Sequence, residues 1–291
     1  MLTQKAKINL LAWSMALPAL ILLLAFIFMP MANSAYYSLF KWNLVGDKKF
    51  ILFDNYKYIF GSDQSFKAAL ANTFTYTILN MVLTFTLAFA TALIFNAESK
   101  IAKFVRSAAF VPVVVPITVL GIIWKMIYEP QFGIINQFLS IFGVAGPKWL
   151  FDSKLAMVAV VIFNVWKEFG LYTIILVGGL QKIPRDMYEV ARIEGANPIE
   201  TLRMVTVPML KPILFFVSTI LFINSFKAFD HIWVMTGGGP GNATSTLVTY
   251  IYSKVFDSVG LASATSVILF IIVFTATISR YFLSKGGAVN E

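Results

Sequence analysis

From Leu10 to Pro30 the chain runs 21 residues without a charged side chain. That is longer than the core of a secretory signal and long enough to cross a bilayer as a helix. Lys5 and Lys7 precede the run, and "MANSA" after it could mimic a cleavage site, yet its length favours an uncleaved first span. Five further runs follow. The apolar pattern predicts spans at about 10–31, 72–96, 107–128, 155–180, 212–234 and 262–283. The expected fold class is therefore all-α, a polytopic membrane protein with six transmembrane helices, read as one domain over 1–291. Charged residues make up 13% of the chain, against roughly 25% in a soluble domain.

Charge sets the expected orientation. The N-terminus, 97–106, 181–211 and the C-terminal tail from Arg280 hold 12 Lys and Arg, and the longer segments 32–71, 129–154 and 235–261 hold eight. The positive-inside bias places both termini, and the 181–211 loop, in the cytoplasm. The net charge of +9 then reflects those loops and anionic lipid rather than nucleic acid. The absence of cysteine removes disulfides, thiol catalysis and thiolate metal sites, and a single histidine, His231, removes a His-rich metal site. No G-x-x-x-x-G-K-[ST] occurs, so the chain has no phosphate-cradling loop of its own.

The 181–211 loop carries the sharpest local signals. Pro184 suits a first helical position, with Asp186 and Glu189 in the first turns, where acids favour the helix dipole. Gly195 can close that helix in a left-handed conformation. Asn197, Pro198 and Glu200 fit the N-cap, first and third positions of a second helix, which Pro208 and Pro212 are expected to end. Ala191, Gly195 and Ala196 are small, so another backbone could approach closely.

Ionisable groups inside spans are costly and usually functional. Span four holds Asn164, Lys167 and Glu168; span five holds Asn224, Lys227 and His231, with Ser225 and Asp230 beside them. Within each set spacings of three and four place the residues on one helix face. Tyr172 and Trp166 add aromatic surface. Hydrogen-bonding groups beside aromatic rings suit a sugar. The structural alternative is that Lys167 and Glu168 neutralise each other, and that Asp230 and His231 reach water at the outer interface.

The order Glu189, Ala191, Gly195-Ala196, Val205, Pro208 and Pro212 resembles the EAA motif of binding-protein-dependent ABC importer permeases, E-A-A-x-x-x-G with I-x-x-P further on. Val190 stands for the first Ala and Val205 for the Ile. "GGLQKIPRDMYE" (178–189) and "FKAFDHIWVMTGGGP" (226–240) are similar to the carbohydrate-uptake branch, the MalF-like sugar permease subunits. The resemblance implies an ABC importer permease fold and a non-catalytic translocation subunit in the bacterial cytoplasmic (inner) membrane. It implies that Glu189, Ala191, Gly195, Ala196 and Pro208 belong to a coupling hairpin seated on a cytoplasmic ATPase. It implies as partners a second related permease subunit, two ATP-binding cassette ATPase subunits that bind the ATP and Mg, an extracytoplasmic solute-binding protein and membrane lipid. This chain itself would bind no cofactor or metal. Sugar contacts would come from spans four and five, where the polar faces offer Asn164, Lys167, Glu168, Tyr172, Asn224, Ser225, Lys227 and Asp230; these residue types differ from the maltose permease's at the aligned positions, so the substrate need not be maltose. A secondary transporter or channel using the midplane charges, and a membrane scaffold that transports nothing, are the competing readings.

Overall fold

The computed structural model describes residues 4–97 and 99–286. Its chain forms two compact units, Met1–Asp63 with Ile251–Ile271 and Gln64–Tyr250 with Ile272–Glu291.

The first unit opens with α1 (Gln4–Leu23), which passes through a π turn at Leu24–Phe28 into α2 (Met29–Tyr37). None of the most apolar window of this helix is buried within the chain. A two-stranded antiparallel hairpin follows, β1 (Phe40–Asn43) and β2 (Val45–Phe50), turning at Leu44 with φ 67°. Sequence patterning does not announce this hairpin, because every residue of β2 is exposed and the usual alternation is missing. Side chains hold it instead. Lys48 Nζ lies 4.7 Å from the Tyr37 ring centroid and 4.8 Å from that of Trp42, a cation–π clamp. Asn55, on α3 (Asp54–Gly61), donates to the carbonyl oxygens of Ser38 and Phe40 at 2.8 and 2.9 Å.

The second unit contains α4 (Gln64–Ile94), α5 (Lys100–Val114), α6 (Ile117–Ile127), α7 (Ile134–Ile141), α8 (Ala156–Leu180), α9 (Arg185–Ile193), α10 (Pro198–Thr201), α11 (Val207–Phe226) and α12 (Asp230–Thr236). Two further helices, α13 (Leu247–Lys254) and α14 (Val259–Gly286), each run across a boundary between the units. Helix α8 is the centre of the second unit: 61% of its most apolar window is buried, against 33% for α4. It packs on α4 and α5. Gly170 permits the closest approach, since a Cβ there would overlap the Ala109 carbonyl oxygen.

Among the described residues five helices are long and apolar enough to cross a membrane, and six if one bent pair is a single span. That pair is α5 and α6, which meet at 100° within the run expected to be continuous at 107–128. Pro116 has no N–H to donate, and it disfavours helical geometry in the residue before it. Val115 accordingly sits at ψ 137°. The run expected at 212–234 is interrupted too: α11 ends at Phe226, Phe229 has φ −143°, and α12 begins at Asp230. At its other end this segment is more continuous than the prolines suggested. Residues Pro198–Phe226 form one 29-residue span, joined by a π turn at Leu202–Thr206. There Val207 N–H bonds to the Leu202 carbonyl. The widened turn takes up the proline at 208 in the first turn of α11, where its missing N–H costs little.

Candidate functional site

Two sites emerge, both inside the second unit. One is a polar cavity of about 310 Å³, lined by Tyr76, Ile117, Asn164, Glu168, Asn224, Lys227, Ala228, Phe229, Asp230 and His231. Asn164 and Glu168 are one turn apart on α8, so a single face presents both. The other charged members arrive differently. Asn224 lies on the last turn of α11, Lys227 caps that helix with φ −95°, and Asp230 starts α12. The break, rather than a continuous helical face, turns Lys227, Asp230 and His231 toward one space. Glu168 is half-buried, while Asn224, Lys227 and Asp230 are exposed. Among the described residues none of the three charged groups is in a salt bridge, and the cavity presents charge of both signs.

Lys167 stands apart from this group. It is buried, does not line the cavity, and directs Nζ at the Val113 carbonyl oxygen, 3.4 Å away. The broken end of α5 leaves carbonyl groups without helical partners, and a cation there is favoured by the helix dipole. Lys167 thus caps the break, with its ammonium directed at Val113 rather than into the cavity, while its charge still acts on the adjacent Glu168. Tyr172 and Ser225 form a second layer behind the lining. Asn224 Nδ2 donates to Tyr172 Oη at 3.4 Å, and Ser225 is buried against α4.

Helix α4 contributes residues that the sequence analysis did not select. Thr73, Tyr76, Thr77, Asn80 and Thr84 are all buried, and their spacing of three and four marks one polar stripe on an apolar helix. Tyr76 Oη is 2.9 Å from His231 Nε2. Asn80 Nδ2 donates to Ser225 Oγ at 2.9 Å, and Asn164 Nδ2 donates to Asn80 Oδ1 at 3.0 Å. Thr73 Oγ1 accepts from Leu247 N–H at 2.9 Å. The stripe was visible as small polar residues at helical spacing. Threonine is common enough in spans that it drew no attention.

The second site is the hairpin of α9 and α10. Gly195 has φ +81°. Its N–H bonds to the Arg192 carbonyl at 3.0 Å and that of Ala196 to the Ala191 carbonyl at 2.9 Å, the two bonds of a Schellman closure. Asn197 then accepts from Ile199 and Glu200 N–H while Glu200 Oε2 accepts from Asn197 N–H. That reciprocal capping box is the one the sequence predicted. Pro184 is the N-cap rather than the first helical residue, and α9 starts at Arg185. Ala191 faces inward, 7% exposed, in one cluster with Val205 and Leu210; it fastens the hairpin to the bundle. Glu189, Gly195 and Pro208 are exposed and Ala196 is half-buried. Beside them Val190, Ile193, Ile199 and Met204 expose apolar surface.

A set of apolar spans, one of them broken, beside a polar cavity and a capped polar hairpin, fits a membrane transport component. The family model "Binding-protein-dependent transport system inner membrane component" matches residues 84–286, and the chain belongs to that family. It is therefore a permease, a non-catalytic translocation component of an ATP-driven importer, and a multi-pass membrane protein. It is 33% identical to the "Trehalose/maltose transport system permease protein MalF" of Thermococcus litoralis, over 95% of this chain and 95% of that one. It is 32% identical to the "Arabinooligosaccharides transport system permease protein AraP" of Halalkalibacterium halodurans, over 76% of this chain and 71% of that one. Its fold matches a chain in the crystal structure of a bacterial ABC transporter involved in the import of the acidic polysaccharide alginate. The TM-score there is 0.84 at 22% identity, with 97% of each chain covered.

Proposed function

We propose that the chain carries a sugar or oligosaccharide through the cavity between α8 and the α11–α12 break, and that ATP hydrolysis on partner chains drives it through the hairpin Glu189–Pro208. The observation that carries this reading is the cavity itself. Charges of both signs and neutral hydrogen-bonding groups converge there at the end of a broken span, in a family whose members named above handle sugars. The buried, unpartnered amide oxygen of Asn164 costs stability, and a substrate that hydrogen-bonds to it offsets that cost. Asn164, Glu168, Asn224, Lys227 and Asp230 line the pathway in this reading, with Tyr172 and Ser225 behind them.

The hairpin is the coupling element. Its exposed acid Glu189 and its exposed apolar row suit a groove on a cytoplasmic ATPase better than either bulk water or bare lipid. Two such ATPase subunits bind the ATP and Mg. A second related permease completes the pathway, an extracytoplasmic solute-binding protein delivers the sugar, and 1–291 acts as one permease domain. Both termini face the cytoplasm of a bacterial cell, across its inner membrane. A reporter placed at Gly241 is then external, and one placed after Gly287, which lies outside the described residues, is cytoplasmic.

The test is uptake by the reconstituted complex, with trehalose, maltose and arabino-oligosaccharides as probes. Uptake is expected to require ATP and binding protein, and Lys227→Ala is expected to reduce it at least about tenfold with assembly intact, the size of one lost charge-assisted hydrogen bond. Uptake that runs on an ion gradient without ATP would replace this reading with a secondary transporter.

A further inference from the structure

We infer that Asn80, on α4 and outside the cavity lining, is a positioning residue that turns the amide of Asn164 so that its carbonyl oxygen is held ready for a hydroxyl donor of the substrate. The inference rests on the transport reading given above and adds what the site selects: a neutral O–H group, presented to an acceptor at Asn164.

Asn80 is 1% exposed and uses both ends of its amide. Nδ2 donates to Ser225 Oγ at 2.9 Å on α11. Oδ1 accepts from Asn164 Nδ2 at 3.0 Å on α8 and from Thr84 Oγ1 at 3.4 Å one turn along α4. Three helices meet at this one side chain. Asn164, in turn, is 3% exposed and lines the cavity. Its Nδ2 donates to Asn80 and also serves the Glu168 carboxylate one turn on, and its Oδ1 has no hydrogen-bond partner. A buried acceptor without a partner is rare in native proteins and calls for a reason. Here the reason is geometric. An amide has one donor end and one acceptor end, so engaging Nδ2 with Asn80 leaves Oδ1 for whatever enters the cavity. An acceptor fixed in advance by a second residue costs no reorganisation when substrate arrives. A site built to bond a hydroxyl also rejects an analogue that lacks it.

Binding protein delivers the substrate, so the informative quantity is sugar moved per ATP hydrolysed rather than an apparent affinity. Asn80→Leu, close to isosteric, is expected to lower that ratio about tenfold, while ATP hydrolysis stimulated by loaded binding protein stays within twofold. Asn80→Asp keeps the acceptor for Asn164 and lets Ser225 donate, and it is expected to recover the ratio to within threefold of wild type. A panel of monodeoxy derivatives of the transported sugar supplies the second arm. One deoxy position is expected to slow wild-type transport about tenfold and to slow Asn80→Leu no further, since the oriented acceptor is already lost. A purely structural role for Asn80 lowers transport and ATPase activity together and leaves the deoxy effect intact; that result overturns the inference. An unchanged ratio in Asn80→Leu overturns it too. If the wild-type complex moves none of maltose, trehalose or arabino-oligosaccharide, the failure lies in the transport reading and not in Asn80.

Discussion

The cavity and the hairpin sit in the same unit and are built by opposite means. The hairpin is local: six consecutive residues, Ala191–Ala196, contain both hydrogen bonds of its closure, and four more complete the capping box. The cavity is assembled from α4, α6, α8, α11 and α12, with bonds spanning 145 residues between Asn80 and Ser225 and 155 between Tyr76 and His231. A locally determined element keeps its shape while its surroundings move. A cavity closed by tertiary contacts changes shape whenever those helices shift. In the proposed reading the hairpin is the stiff lever on the driven side and the cavity the deformable chamber.

The largest effect expected from breaking this contrast is at Gly170. Valine there places atoms inside the Ala109 backbone, and α8 and α5 must separate; overpacking of that kind costs about 3 kcal/mol. Because Lys167 on α8 also caps α5, the cavity is expected to lose its geometry. Uptake should fall below a tenth of wild type while the hairpin, unaffected, still retains the ATPase in a pull-down. Loss of both would show that the hairpin depends on the bundle as much as the cavity does.

A smaller effect isolates the other side of the contrast. Asn197→Ala removes the cap of α10 and one half of the capping box, at about 1 kcal/mol. The expected outcome is a two- to fivefold weaker hold on the ATPase, read by titrating ATPase onto permease in nanodiscs. Thiol labelling of a cysteine introduced at Lys227, in this cysteine-free chain, should proceed at an unchanged rate. A changed labelling rate would mean that the cap reaches the cavity.

The same contrast explains what the sequence disclosed. Gly195, Asn197, Pro198 and Glu200 act on their immediate neighbours, so the closure and the capping box were legible residue by residue. Asn164 and Glu168 were legible as polar groups on an apolar helix. Lys167 was legible as costly but not as a cap, because its partner, Val113, is an apolar residue that takes part only through its carbonyl. The Val115–Pro116 break was written in Pro116, yet a mean hydropathy pattern averages over a single proline. Tyr76 and Asn80 become significant only once α4, α8, α11 and α12 are placed side by side. In the β1–β2 hairpin only the four residues of β1 alternate, and β2 has no alternation to betray it.

The most direct test of the account is whether the hairpin transmits the state of the ATPase. A left-handed residue at 195 costs a β-branched side chain about 1–2 kcal/mol or more, while open space around Gly195 means that no neighbour within the chain forbids a larger one. Gly195→Val therefore changes the turn and its outer surface without touching the bundle, and Glu189→Lys reverses an exposed charge. The measurement is ATP hydrolysis by the reconstituted complex with and without sugar-loaded binding protein, beside ATPase retention on the purified permease. The account predicts normal membrane insertion, weaker retention and loss of the stimulation in both variants. Full stimulation and full retention in both would contradict it and leave the hairpin a lipid-facing loop.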